Sequence, residues 1–305
     1  MNKTVEKILN TIADLKGTPE GAYNIRVNGA SIGRSSSENI EIKSKEDKPG
    51  IDIIVKPGTK NEMVHIPVVV DASGMEDKVY NDFYIGEDCD VRIIAGCGIH
   101  NDGTHLSQHD GIHTFHVGEN AKVVYVEKHY GEGEGTGKRI LNPETIVNLD
   151  KNSYLEMETV QIEGVDNTDR VTSGKCAGGS KLVIKEKLMT SGNQSARTRF
   201  DVDLDGDECS ADVVSRSVAK GNSKQEFLSA IRGNSQCHGH SECDAIIMDD
   251  AVVTAIPELT ANNIDAALIH EAAIGKIAGE QLTKLMTLGL TEEEAEREII
   301  NGFLS

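Results

Sequence analysis

The sequence predicts a mainly β protein: a right-handed parallel β-helix of stacked rungs, with a short N-terminal helix and a C-terminal helical pair. Three observations carry this reading. First, a turn of Gly, Asp, Glu or Asn, then a small residue, then alternating aliphatic positions recurs along the middle of the chain. It reads Gly86-Glu87-Asp88-Cys89-Asp90-Val91, Gly118-Glu119-Asn120-Ala121-Lys122-Val123 and Asp150-Lys151-Asn152-Ser153-Tyr154-Leu155. The small position steps twice by roughly 32 residues, within the range of solenoid repeats, and weaker echoes follow around Ser180 and Cys209. Second, the residues between turns alternate with period two, as in Val123-Val124-Tyr125-Val126-Glu127, and helical periodicity is missing from 50 to 260. Third, the chain is 38% hydrophobic but only 4% aromatic, with no Trp. A core of Val, Ile, Leu and Ala suits thin stacked layers. A β-sandwich shares the short strands; the equal steps favour the solenoid.

The elements follow in order. Residues 4–16 read as one amphipathic helix ending at Gly17, and residues 18–60 as strand and turn, with Lys43–Gly50 a solvated loop. This divides the chain into an N-terminal region (1–60), a β-helix core (61–265) and a C-terminal helical region (266–305). After residue 272 the period turns helical: Ile274, Ile277, Leu282, Leu285 and Met286 form one apolar stripe, broken by Gly289. Thr291 is placed as an N-cap before Glu292-Glu293-Glu294, which complement the helix dipole. Ala295, Ile299 and Ile300 continue this second helix to Gly302. Two amphipathic helices appended to a β body must dock on that body or on a partner.

Composition excludes several classes. Fifty acidic against 31 basic residues give a net charge of −19, which repels a nucleic-acid backbone. The first residues, Thr4 to Ile12, are polar and helix-periodic, unlike a secretory leader. No run of about 18 apolar residues offers a membrane span. The expected location is the cytoplasm, where six cysteines are reduced thiols or metal ligands. Cys89 and Cys209 fill the small slot of the repeat and read as packing residues; Cys176, in a loop-like stretch, reads the same way before it reads as a relay thiol. Gly131–Lys138 lacks the order of a phosphate loop, since Arg139 follows Lys138, and is expected to be a flexible turn.

Two constellations hold borderline metal ligands. In Cys237-His238-Gly239-His240-Ser241-Glu242-Cys243, an extended strand puts the two cysteines on one face and the two histidines on the other, so one tetrahedral ion cannot take all four. Six of the ten histidines lie at 100, 105, 109, 113, 116 and 129, near Cys97, Asp102 and Asp110. Stacked rungs would let His113, His116 and His129 approach each other as imidazole ligands; hydrogen-bonded turn histidines are the plainer reading.

The end of the chain carries a resemblance. Cys243-Asp244-Ala245-Ile246-Ile247-Met248, then His270-Glu271-Ala272, then Gly275-Lys276-Ile277-Ala278-Gly279-Glu280-Gln281-Leu282, Thr291-Glu292-Glu293-Glu294-Ala295 and Asn301-Gly302-Phe303 resemble, in order, the C-terminal core of the SufB/SufD family of the SUF iron–sulfur assembly machinery. The likeness is specific over roughly 233–305 and architectural over about 60–230. It implies a short SufB-like scaffold, not itself an enzyme, on which a transient iron–sulfur cluster is assembled. Cys243, Glu271 and His270 are then the cluster-assembly and metal-binding residues at a dimer interface. The dimer is a homodimer or a pair with a SufB/SufD-like paralogue. Ile277, Leu282, Leu285, Met286, Ile299 and Ile300 dock a SufC-like ABC ATPase that supplies ATP hydrolysis. A cysteine desulfurase or sulfur carrier delivers sulfur. Two departures stand out: Ile269 occupies the place of the first Glu in the family's Glu-His-Glu-Ala, and no Asn-Pro precedes the last strand. A cluster-free SufD-like partner subunit is the alternative, and a carbohydrate-processing β-helix enzyme a more distant one.

Overall fold

The structure, a computed structural model, describes residues 2–304. Strands make up 58% of it, wound into a β-solenoid of about 8 turns with one N-terminal and two C-terminal helices. Each turn gives one strand to each of two ten-stranded sheets, parallel except at the N-terminal edge, where Ala22–Val27 pairs Ala30–Ser35 and Ile40–Ser44 pairs Gly50–Val55 antiparallel. Inward side chains of both sheets fill the lumen with layers of Ile, Val, Leu and Phe.

The recurring turn explains the regular winding. The residue ahead of the small slot takes a left-handed backbone at Asp88, Asn120, Asn152, Gly179 and Glu208, a conformation Asn, Asp and Gly accept best. The slot itself (Cys89, Ala121, Ser153, Ser180, Cys209) is buried at every turn, because the chain bends inward there. Cys89 and Cys209 are packing residues, as the repeat implies. The step is 32 residues between Asn120 and Asn152. It shortens to 29 between Glu186 and Ser215 and 28 between Asp212 and His240, because the corners at 101–106 and 133–138 are longer than later ones.

The Gly131–Lys138 corner is not the loose turn expected. Gly135 N donates to Asn101 O at 3.1 Å, Gly137 N to Gly103 O at 3.0 Å, and Glu134 N to Asp102 Oδ1 at 3.0 Å. Its glycines let one corner lie backbone-on-backbone over the corner below; a Cβ at Gly133, whose φ is +115°, would collide with the Asn101 carbonyl. Lys45, expected in solvent, instead extends a nearly buried side chain to Asp52 and, at 2.7 Å, to Asp82.

Helix α1, Lys3–Ala13, is capped by Asn2 and ends at Asp14, whose left-handed φ of 55° stops it three residues short of the expected end. Its buried face of Val5, Ile8, Leu9 and Ile12 lies on the outer surface of the first sheet. The approach is close because Gly96 and Gly98 face it: a Cβ at Gly96 would sit 2.8 Å from Ile12 Cβ, and one at Gly98 would run into Ile8. Gly98→Ala should therefore lift the helix and cost about 1–3 kcal/mol by overpacking. Thermal melts and limited proteolysis at the N-terminus check this; an unchanged melt with an intact N-terminus would refute it.

The solenoid outruns the expected boundary at 265. Strand Ala267–Gly275 continues the first sheet in register with His238–Ile247, so Ile274 pairs Ala245 and belongs to a strand, not to a helical stripe. Helix α2, Gly279–Thr287, buries none of its residues. Helix α3, Glu292–Leu304, starts at the expected cap: Glu294 N donates to Thr291 Oγ1 at 3.2 Å and Thr291 N to Glu294 Oε2 at 2.8 Å, a capping box. Ala295, Ile300 and Leu304 are its buried residues, and Ile300 and Leu304 pack with Val218 and Met248 of the solenoid.

The two ends differ. At the N-terminal end Ile40, Ile51 and Ile53 are fully enclosed. At the C-terminal end, among the described residues, Val252–Ala261 and Ala267–Gly275 each lack a neighbour on one side, as Ala30–Ser35 and Ile40–Ser44 do at the other end, but here Val252, Ile256, Ile269 and Ile274 are exposed, with Ile264 at 98%.

Candidate functional site

Strand His238–Ile247 alternates strictly, which settles its two faces. Cys237, Gly239, Ser241, Cys243 and Ala245 point into the lumen; His238, His240, Glu242 and Asp244 point out. The separation of cysteines from histidines holds, as extended geometry requires. Cys243 is 1% exposed, and burial, with Glu186 and Asp244 nearby, pushes its thiol up to about 12. His270 pairs in register with Ser241, and Ala272 with Cys243, so His270 and Cys243 share the lumen face of the last two rungs. His270 Nδ1 is buried without a hydrogen-bond partner. Glu271 lies on the opposite face, exposed, beside Glu242, its register partner, and 4.0 Å from His240 Nε2. Within one chain, then, Cys243 and His270 share a face and Glu271 lies on the other.

The histidine-rich segment enters the lumen. His109, His113 and His129 are inward and buried. His116, three residues beyond His113 in the same strand, falls on the outer face and stacks on Tyr84 with ring centroids 5.0 Å apart. It cannot share an ion with the other two, because an odd separation along a strand reverses the face. His113 is also occupied: Asn81 lies 3.2 Å from Nε2 and Tyr125 Oη 2.8 Å from Nδ1. Burial pushes it down to about 4, so it stays neutral.

Around it runs a charged network. Arg170 donates to Glu127 Oε2 at 2.8 Å and to His129 Nδ1 at 3.1 Å, and lies 3.8 Å from Glu186. Burial opposes ionising Glu127, but His129 and Arg170 hold it well below the usual carboxylate range. Burial alone would raise the Cys97 thiol; His109 and His129 beside it bring it down to about 7. His109, which burial would lower, is lifted to about 10 by Cys97 and by Asp77, 3.1 Å from its Nδ1. Glu186 accepts from Thr198 and, at 2.7 Å, from Ser215, and Ser215 is the register partner of Cys243. Glu127, Thr159, Glu186, Ser215 and Cys243 thus form one inward column along the first sheet.

Residues 81–303 match the SUF system FeS cluster assembly, SufBD core domain. The chain belongs to the SufBD family. Among curated relatives, a SufBD family protein of iron–sulfur cluster assembly from Methanothermobacter thermautotrophicus (strain Delta H) is 28% identical over 222 residues, 72% of this chain and 53% of that protein. One from Archaeoglobus fulgidus is 26% identical over 279 residues, 89% of this chain and 72% of the relative. One from Pyrococcus horikoshii is 28% identical over 278 residues, covering 90% and 83%. The chain spans about half the length of the Methanothermobacter protein.

The six residues expected to dock an ATPase lie in different surroundings. Ile300 is buried in the cluster that holds α3 to the solenoid, and Ile277, partly buried ahead of α2, packs against that cluster. Ile299 is half-buried, while Leu282 and Leu285 are half-exposed and Met286 exposed on α2. Four site residues escaped the sequence reading: Asp77, Glu127, Arg170 and Glu186. The signal was there in the phase of the alternation, which puts Glu127 and His129 on the face of Val123 and Tyr125. Among the described residues no helix is long and apolar enough to cross a membrane.

Proposed function

We propose that the chain is a scaffold for iron–sulfur cluster assembly, with the cluster, its cargo, built at the open C-terminal end. The observation that carries this reading is the position of Cys243 and His270 in the last two rungs, where strand edges and apolar side chains lack cover. A second copy, or a SufB/SufD-like paralogue, covers those edges about a two-fold axis. Glu271 is then the outward ligand that meets the partner's face. Thiolate, imidazole and carboxylate hold iron loosely enough for release. With its thiol raised to about 12, Cys243 is protonated at neutral pH, and binding iron there releases that proton. Leu282, Leu285 and Met286 of α2 receive the SufC-like ATPase, whose closure rearranges the end rungs.

The test is anaerobic co-expression with the ATPase, followed by reconstitution with iron and sulfide. Cys243→Ala and Glu271→Ala are expected to lose most of the cluster absorbance; unchanged cluster content would overturn the assignment. One observation favours a second reading, a cluster-free partner subunit: a thiol 1% exposed and raised to about 12 behaves as a core residue. A reconstituted complex lacking cluster absorbance even in the wild type would select it.

A further inference from the structure

We infer that His240, Glu242 and Glu271 form a binding site for a divalent first-row metal ion on the outer face of the solenoid, across the strand from Cys243. One ligand atom from each lies within 4.8 Å of the other two. The strands set this up: His240 and Glu242 are two apart on one outward face, and Glu271 is the register partner of Glu242 on the next strand.

Three features separate this trio from ordinary surface polarity. Two carboxylates facing each other across paired strands repel, and among the described residues neither ion-pairs with Lys or Arg; partial burial and the neighbouring Asp244 push Glu242 up against the opposing pull of Arg216 and His240, and the ion-pair contact of Glu271 is His240. His240 Nδ1 is held 2.8 Å from Asp212 Oδ1, which places the proton on Nδ1 and leaves the Nε2 lone pair toward the acids. A carboxylate behind an imidazole in this way is the usual support of a metal-ligating histidine. The 4.0 Å between His240 Nε2 and Glu271 Oε2 is too long for a hydrogen bond. Two atoms that each bind one ion at about 2.0–2.2 Å stand about 3.0–3.6 Å apart at octahedral or tetrahedral angles, so the exposed Glu271 side chain has to close by less than about 1 Å to share an ion with His240.

One imidazole and two carboxylates are borderline-to-hard donors, matched to iron(II), manganese(II) or zinc(II) rather than copper(I). The site faces outward, so its remaining coordination positions stay open for loading and release. The choice of iron(II) among these ions rests on the assembly function proposed above; the site itself does not. Cys243 points the other way and cannot share an ion held here within one chain.

The experiment is anaerobic calorimetric titration of the purified full chain with iron(II) alone, without sulfide or ATPase. Wild type should bind one ion per chain. His240→Ala, Glu242→Gln and Glu271→Gln should each weaken binding at least ten-fold, and Asp212→Asn by roughly ten-fold, as for a supporting partner. His116→Ala, an outward histidine stacked on Tyr84 and remote from the trio in the rungs, should bind iron(II) as wild type does. Wild-type affinity in the three ligand variants, or an equal loss in His116→Ala, overturns the site. Retained iron(II) binding with no cluster in any preparation refutes the scaffold reading and leaves the metal site standing.

Discussion

Arg170→Met should lower the stability of the chain by about 3–5 kcal/mol, the range for breaking a buried ion pair by removing one partner. Arg170 stands between Glu127 and Glu186, all three buried, and it also bonds His129 Nδ1. Its removal leaves Glu186 in the lumen with only the neutral donors Thr198 and Ser215, and Glu127 with the Tyr125 hydroxyl and His129. The lumen cannot relax around them, because rungs above and below fix its walls. A double variant, Glu127→Leu with Arg170→Met, should recover part of the loss, since a charge pair replaced together by apolar residues is often nearly neutral. Urea midpoints of the two variants against wild type decide the matter. A single variant that melts with wild type would show that the network adds nothing to stability.

The second large effect is a fall in stability on mild acidification. His113 is pushed from the ordinary 6.5 down to about 4 by burial. Below pH 6.5 the unfolded chain takes up a proton that the folded chain refuses. Stability from this group is therefore complete above 6.5 and is lost as pH falls toward 4, on the order of 3 kcal/mol in all. His109 acts in the other direction: lifted to about 10, it contributes fully below 6.5 and fades as pH rises through 10. Urea midpoints between pH 7.5 and 4.5 should fall for wild type and stay much flatter for His113→Gln. Equal slopes in both proteins would remove His113 as the cause.

The solenoid was legible because its signal is local. Asp88, Asn120 and Asn152 must precede a small residue wherever the corner turns, and that couple survives in a single sequence. The change of step from 32 to 28 residues was not legible, because it depends on how corner backbones stack, and Gly133 reads alike in a loose turn and a packed one. At the candidate site, alternation correctly separated Cys243 from His240. It also contained the fact that Glu271 and its neighbour His270 face opposite ways, while which of the two shares the lumen with Cys243 depends on the register. Registers across strands decide which outward groups meet, so the pairing of Glu242 with Glu271 needed the structure. Helix faces were the hardest to assign: Ile300 and Met286 look equally apolar in sequence, and only the path of the chain sends one to the solenoid and the other outward.

The difference between the two ends of the solenoid limits how it can grow. Its first rungs finish in short antiparallel strands with a sealed interior, while its last rungs stop in mid-pattern. A stack of identical rungs open at both ends could add copies head to tail without limit, as fibres do. In this chain the two ends are unlike, antiparallel edge strands at the first and parallel ones at the last, so a head-to-tail contact would not continue one uninterrupted parallel stack.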